Sequence, residues 1–222
     1  MAAGRLNLMN TRTILWILPL ILYLAFTWWY TNTDGPLTEA EIEQFSEGLT
    51  KAGFEPERVK RLRTFMSNDT GRQFIMLNNV DLNENPPVVE GAPEDASAQD
   101  LMGLYMEYMW PALLKRACHP IYAGRPIFDS MDVVGIENSE GFNPWEWDQG
   151  ALMRYRSRRD LLEIVTNPAF QGRHDFKTAA LTKTIAYPLE NLIYLSDPRL
   201  LLALVLFALT SLLDLLLFRR AR

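Results

Sequence analysis

Two long apolar runs, one near each end of the chain, limit what this sequence can fold into. The first covers residues 14–30, ILWILPLILYLAFTWWY, and the second covers residues 200–218. Because a helix rises about 1.5 Å per residue, runs of this length approach or match the hydrocarbon core of a bilayer, about 30 Å. The sequence therefore predicts two transmembrane helices with one domain between them.

The first run has an alternative interpretation as a cleaved signal peptide, because a basic start precedes its apolar centre. Its exit is the bulky sequence TWWY, residues 27–30, and not the small-x-small pattern of a cleavage site. Aromatic residues are enriched at membrane–water interfaces. We therefore predict a retained anchor, with Trp28, Trp29 and Tyr30 at the interface.

Basic residues flank the outer ends of both runs. Arg5 and Arg12 precede or begin the first span, and Arg219, Arg220 and Arg222 follow the second. Such residues favour the cytoplasmic side of a membrane. The sequence predicts a protein of the bacterial cytoplasmic (inner) membrane, with both termini cytoplasmic and the central domain extracytoplasmic, in the periplasm of a Gram-negative cell.

Asp214 is an acidic residue inside the second run. A carboxylate at the bilayer centre costs ~2.5–3.5 kcal/mol on insertion scales. Asp214 is therefore either a proton or partner site, or it is paired with Arg219 or Arg220 or hydrogen-bonded to the other helix. Because it lies about one turn from the end of the run, we favour the structural role.

The composition excludes several kinds of site. A net charge of −5 gives no basic surface for nucleic acid. Cys118 is the only cysteine, which rules out an intrachain disulfide and CxxC sites. His119 and His174 are the only histidines, too few for a histidine-rich metal site in one subunit. We expect neither a metal nor a cofactor.

The region between the runs predicts alternating strands and helices. Residues 38–67 have the pattern of a helical hairpin that begins with a capping box, Thr38 and Glu41. The later elements are predicted as a strand over 72–82, a helix from Ser97 to about residue 117, an extended stretch over 120–136, a strand over 147–155, a helix from Ser157 interrupted at Pro168, and a strand over 184–188.

This βαββαβ order predicts an α+β fold of the ferredoxin-like type. The chain accordingly divides into residues 1–31 (first span), 32–69 (helical linker), 70–190 (α+β domain) and 191–222 (second span and basic tail). Such a sheet carries its helices on one face, and the other face needs a cover. Strand alternation leaves two sets open for that face: Phe74, Met76 and Asn78, or Ile75, Leu77 and Asn79.

Three stretches resemble one family. FIMLNNVDL resembles the first-strand MLNLVRF pattern of a widespread uncharacterised bacterial domain family in the dimeric α+β-barrel superfamily. Residues 105–125 resemble its section with Tyr, Pro and Gly-Arg, and residues 147–171 resemble its WD…RYPSR section. Arg156 departs from the usual proline, and Phe176-Lys177 from a frequent His-Arg pair. The resemblance covers residues 72–188 and implies a barrel-forming dimer, but no reaction.

Two groups of polar residues are candidate ligand-binding residues. The first would line a cleft between helix and sheet: Asn78, Tyr105, Arg125 and Trp147. The second is the basic strand-to-helix turn with Arg154 and Arg156, where an anion could meet the free NH groups of a helix start. The structural alternatives are core packing for the first group and a solvated rim, paired with Asp160 and Glu163, for the second.

His174 is a further candidate, as a general base or haem ligand, against the alternative of a surface histidine. The sequence contains no defensible catalytic motif. We predict a structural or accessory role, as a homo-oligomer or a subunit of a larger membrane complex in the lipid bilayer. The alternative is a monooxygenase- or isomerase-like enzyme that uses the cleft. A ligand-binding sensor ranks third, because the cytoplasmic ends are short.

Overall fold

The computed structural model describes residues 2–137 and 139–218, with side chains from residue 10 onward. This part of the chain contains seven helices and four strands, a mixed α+β architecture. Contacts divide the chain into two units: the two terminal helices form one, and Asp34–Asn191 forms the other. Arg219, Arg220 and Arg222 lie outside the described residues, as does the side chain of Arg5.

The terminal unit consists of helix α1 (Ala2–Tyr30) and helix α7 (Pro198–Phe218). Both helices are long and apolar enough to cross a membrane, over Asn10–Tyr30 and Pro198–Phe218. α1 continues through Pro19, which a membrane helix tolerates. The helices pack on each other, with the rings of Trp16 and Phe207 at a centroid distance of 5.9 Å.

Asp214 forms a bidentate ion pair with Arg12 of α1. Arg12 Nε donates to Asp214 Oδ1 and Nη2 donates to Oδ2, both at 2.7 Å. Asp214 is therefore hydrogen-bonded to the other helix, which is one of the two structural roles that the sequence allowed. The partners of the alternative role, Arg219 and Arg220, lie outside the described residues.

A second polar cluster lies at the opposite end of the same helix pair. Arg199 of α7 binds Asp197 at 2.6 Å and donates to the hydroxyl of Thr31 at 2.9 Å. Its guanidinium also lies 5.4 Å from the ring centroid of Tyr30. Tyr30 is buried, whereas the neighbouring Trp28 and Trp29 are exposed; their place at a membrane interface stays a prediction.

The sheet of the other unit has four antiparallel strands in the order β2-β3-β1-β4. The strands are β1 (Phe74–Leu82), β2 (His119–Gly124), β3 (Gln149–Tyr155) and β4 (Leu181–Leu189). β4 is longer than predicted, because it pairs with β1 along nearly its whole length. β2 stops at Gly124 and is shorter than predicted: the chain meets Pro126, which has no NH to donate to a ladder.

Three helices complete the core: α4 (Ala98–Lys115), α5 (Arg158–Val165) and α6 (Pro168–Ala179). α4 begins with a capping box in which Ser97 and Asp100 exchange side-chain and backbone hydrogen bonds. The apolar stripe of α4 buries Leu101, Tyr105, Met109 and Leu113 at four-residue intervals against the sheet.

The strand register shows which side of β1 faces these helices. Phe74 belongs to the core cluster, stacks on Tyr155 at 5.2 Å, and Met76 packs against the same cluster. Because successive side chains of a strand alternate, Ile75, Leu77 and Asn79 lie on the other face. Of the two residue sets that the sequence allowed for the face away from the helices, the structure therefore has Ile75, Leu77 and Asn79.

A helical hairpin, α2 (Glu39–Lys51) and α3 (Pro56–Ser67), packs in the same unit. Leu49 and Met66 of the hairpin form a second apolar cluster with Leu162 of α5. Glu41, the capping-box acid, also accepts a hydrogen bond from Arg159 at 2.7 Å. This bond is the main reason why the pKa of Glu41 falls to about 2.

Candidate ligand-binding site

A cavity of about 540 Å³ lies between helix α4 and the sheet. The α4 side contributes thioethers and aromatic rings, the sheet contributes small and apolar side chains, and α6 contributes one amine. The principal lining residues are Asn78, Val80, Met102, Tyr105, Met106, Met109, Trp110, Arg125, Asp148, Ala151, Met153, Tyr155 and Lys177.

Helix α4 places the thioethers because its sequence carries two adjacent apolar stripes. One stripe, with Tyr105 and Met109, is buried in the core. The second, with Met102 and Met106, is partly buried and packs beside that core. Both stripes reach the cavity wall. Methionine is flexible and polarizable, so this wall can adapt to ligands of different shape.

Lys177 of α6 is the cationic group inside this apolar wall. It is half-buried, and its Nζ lies 5.6 Å from the ring centroid of Tyr105. Within the described part of the chain it makes no hydrogen bond or ion pair. Burial lowers the pKa of Lys177, and the positive charge of Arg58 lowers it further. Among the described residues, the contact of this amine with the Tyr105 ring is therefore not supplemented by any carboxylate.

Two buried tyrosines line the same cavity. Burial raises the pKa of Tyr105 and that of Tyr155, so both phenols stay protonated at neutral pH. A protonated phenol can donate one hydrogen bond and accept others. Tyr105 and Tyr155 are thus suitable for orienting a polar group of a bound molecule.

The structure brings together three of the four predicted cleft residues. Asn78, Tyr105 and Arg125 all line the cavity. Arg125 is exposed to solvent, which places it at the rim. Trp147 lines an adjacent cavity of about 490 Å³, where Lys183 covers its ring at 5.0 Å.

The basic turn lies outside this cavity, and its arginines bind protein groups. Arg154 is fully buried and donates to Gln73 Oε1 and to the carbonyl of Ala117. Arg156 binds Asp160 with two hydrogen bonds of 3.0 and 2.7 Å. The other suggested partner of this turn, Glu163, binds Arg116 instead, at 2.9 Å.

The neighbouring arginines of the turn are also engaged. Arg158 donates to the carbonyl of Phe65 and lies 3.5 Å from Asp69. Arg159 binds Glu41. These bonds join the helical hairpin to α5, and they give the basic turn a structural role in the described chain.

His174 packs against aromatic rings beside the cavity. Its ring lies 5.3 Å from Phe170 and 6.4 Å from Tyr105. Burial, and then the charge of Lys177, lower the pKa of His174, so the imidazole is neutral at pH 7. Its Nδ1 is buried and has no partner among the described residues. His174 is therefore half-buried in an aromatic cluster and not a surface histidine.

The described residues contain no cluster of three His, Cys, Asp or Glu side chains that could hold a metal ion. Cys118 is buried, and burial raises the pKa of its thiol to about 12. At neutral pH the thiol is protonated, which makes it a weak nucleophile.

Lys177 is a cavity residue that the sequence analysis missed. A sequence pattern could have indicated it, because Phe170, His174 and Lys177 are spaced so that they lie on one face of a helix. Phe170 is a core residue. A lysine on the same side as a core phenylalanine is expected at a boundary between core and solvent.

Comparisons with known proteins give similarity to solved structures only. No protein-family model matches this sequence, and no curated protein matches it significantly. The RPA0582 protein of unknown function from Rhodopseudomonas palustris is similar with 17% identity and a TM-score of 0.48, over 61% of this chain and 94% of that chain. The methylated RPA0582 protein is similar with 16% identity and a TM-score of 0.49, over 62% of this chain and 93% of that chain. Membership of the dimeric α+β-barrel superfamily stays a prediction.

Proposed function

We propose that this protein is a membrane-anchored binding protein whose α+β domain holds a small apolar molecule with one anionic group. The observation that carries the proposal is Lys177, which has no hydrogen bond or ion pair with a described residue and lies in the wall of a cavity rich in methionine and tyrosine. A cavity of about 540 Å³ falls within the ~300–1,000 Å³ that small-molecule sites occupy.

The charges around the cavity favour an anion. Lys177 lies in the wall and Arg125 at the rim, and among the described lining residues Asp148 is the one acid. Asp148 already accepts a hydrogen bond from the backbone NH of Leu82 at 2.6 Å. A charged amine in an apolar site is stabilised by an opposite charge, since transferring it unpaired from water is costly. A carboxylate with an alkyl or aromatic body meets both requirements.

Replacing Lys177 by methionine is expected to remove this preference. Phenylbutanoate and its neutral amide can be titrated into the full-length protein in nanodiscs by calorimetry. The carboxylate should lose roughly tenfold or more in affinity in K177M, because a hydrogen bond to a charged group contributes about 1.5–3 kcal/mol. The amide should bind both proteins equally. K115M, at an exposed lysine outside the cavity, is the matched control.

The outcome against the proposal is equal binding of carboxylate and amide by the wild-type protein, or a K177M protein that binds the carboxylate unchanged. A catalytic use of the same cavity, isomerase- or monooxygenase-like, is the alternative. It requires conversion of a bound compound, which NMR spectra of the incubated probe would reveal.

The pH dependence of carboxylate binding follows from the lowered pKa of Lys177. Affinity should be highest while the amine is protonated, and it should fall as pH rises through a window below 10.5, the ordinary lysine value. In the ligand-free protein, Lys177 loses its proton at a lower pH in the folded state than in the unfolded state. Between these two pKa values the unfolded state binds more protons than the folded state, so the free energy of unfolding should rise with pH across this window. K177M should lose both trends.

The domain is best described as ferredoxin-like, as part of this proposal. The supporting observations are the βαββαβ order and the antiparallel strand order β2-β3-β1-β4. In this arrangement the two βαβ halves interlock, so that β1 and β3 lie in the middle of the sheet. The dimeric barrel of the resembling superfamily would then form by contact between two open sheet faces.

We also propose that both termini lie in the cytoplasm of a bacterial inner membrane and that the domain lies in the periplasm. The basic residues at both ends and the acidic segment 31–50, which has no Lys or Arg, support this orientation. A reporter active only in the cytoplasm should give a signal when it is fused after Arg222. A signal from a fusion in the loop at residues 84–96 would contradict this orientation.

A second candidate function is assembly with another copy of the chain through the open sheet face. Its apolar side chains are only partly covered, including Leu77, Leu152, Ile185 and Tyr187. Each large apolar side chain that becomes buried contributes ~1.5–3 kcal/mol. Anchoring in a membrane raises the effective concentration of the copies and so favours contact.

A further inference from the structure

A second surface of the domain, beside the cavity, exposes apolar side chains. It is the segment between β2 and β3, residues 126–148, which we call the arm. Six large apolar residues of the arm are exposed. One is Trp145, and the other five lie within ten positions: Ile127, which is completely exposed at 103%, Phe128, Met131, Val134 and Ile136. Scattered single apolar residues on a surface are common, but a run of five within ten positions indicates an interaction site.

The base of the arm is held by hydrogen bonds between its two limbs. The backbone NH of Ser130 donates to the carbonyl of Trp145 at 2.7 Å, and the Ser130 hydroxyl donates to that of Pro144 at 3.1 Å. Trp147 Nε1 donates to the same Pro144 carbonyl at 3.0 Å. The exposed side chains therefore extend from an organised base, which lowers the entropy cost of binding.

The charge of the arm selects among partners. The arm has no Lys, Arg or His, and its acidic residues are Asp129, Asp132, Glu137, Glu140, Glu146 and Asp148. All six are exposed, and none forms an ion pair with a described residue. Two arms would repel each other, and an anionic lipid surface would repel the arm as well.

We propose that the arm docks a partner protein that offers an apolar groove edged by Lys or Arg side chains. Apolar residues would fill the groove, and the surrounding carboxylates would pair with the basic edge. Electrostatic complementarity of this kind speeds association and rejects like-charged partners. The arm joins the cavity at both ends, because Arg125 and Asp148 line the cavity. Docking can therefore influence the ligand site, although the proposal does not depend on it.

The test is photo-cross-linking in living cells with the full-length protein. Benzoylphenylalanine replaces Phe128 in one variant and Met131 in a second. In the control it replaces Val88, which is also exposed but lies in a loop without this apolar run. The expected result is a covalent adduct with one other protein from both arm positions and not from position 88. Mass spectrometry should locate the attachment in an apolar patch that has basic neighbours.

Charge reversal distinguishes specific docking from non-specific hydrophobic association. D129K combined with D132K should reduce the adduct roughly tenfold, because like charges then face each other. D129N combined with D132N should reduce it less. Four results would overturn the proposal: no adduct from either arm position, an adduct with a second copy of this chain, an adduct with lipid, or an adduct insensitive to charge reversal.

Discussion

Reversing the charge of Asp214 alone, in D214R, is expected to prevent stable association of the two terminal helices. The substitution would put two guanidinium groups in contact, because Arg12 binds both carboxylate oxygens of Asp214 at 2.7 Å. Asp214 is 9% exposed within the helix pair. The Arg12 side chain is 59% exposed, but reversing the charge of Asp214 removes its counter-ion and replaces an attraction by a repulsion.

The swapped double variant R12D/D214R should recover most of this loss. It restores opposite charges at the same contact and keeps the net charge of this end of the helix pair. The measurement is thermal unfolding of the full-length protein in detergent, together with the amount of protein that accumulates in the membrane. R12D and D214R should each be poorly accumulated, and the double variant should approach the wild type.

A matched control tests whether position matters. R12D combined with L213R also introduces one Asp and one Arg but keeps Asp214, so it is one unit more negative than the swapped variant. Leu213 is exposed and adjacent to Asp214 in sequence. Because its side chain leaves a helix about 100° away from that of Asp214, L213R should not rescue R12D. Wild-type stability of D214R, or no gain in the swapped variant, would show that the pair does not hold the helices together.

The second large effect concerns adjacent residues of strand β1. M76D should unfold the domain, because Met76 packs against the core formed by α4 and the sheet. An unpaired carboxylate there loses hydration without gaining a partner, a change that belongs to the most destabilising class of substitutions, at roughly 4 kcal/mol or more. Circular dichroism during heating of the detergent-solubilised protein should show a strongly lowered midpoint.

L77D should leave the domain folded and abolish self-association. Leu77 lies on the opposite sheet face, beside Tyr187 of β4 and Leu152 of β3. A carboxylate at this position stays hydrated in a single copy but would be buried at a face-to-face contact. Light scattering should give an oligomer for the wild type and for L77M, the conservative control, and a monomer for L77D. A wild-type monomer at micromolar concentration would refute assembly through this face.

The sequence allowed accurate prediction of features that depend on near neighbours. The capping box of Thr38 with Glu41 forms as its three-residue spacing indicated, and helix α4 begins directly after Ser97 as predicted. The break at Pro168, where α5 gives way to α6, follows from the missing NH of proline. The two apolar helices follow from length and composition alone.

Another prediction was wrong because a segment with strand-like sequence has no neighbouring strand to pair with. Residues 120–136 were predicted as an extended stretch, yet only His119–Gly124 pairs with β3. Strand propensity expresses how well a residue fits beside other strands, so an alternating pattern without a pairing strand stays irregular. The apolar residues beyond Gly124 therefore lie on the exposed arm.

The sequence by itself determined the two membrane-type helices, the order of strands and helices, and their caps, because each depends on residues a few positions apart. Tertiary structure alone decided which face of β1 meets the helices, that Arg12 is the partner of Asp214 across 202 positions, and that Lys177 reaches the cavity. These features depend on the register between strands and on the packing of distant helices. Both are set by the balance of burial over the whole chain, which no short stretch of sequence contains.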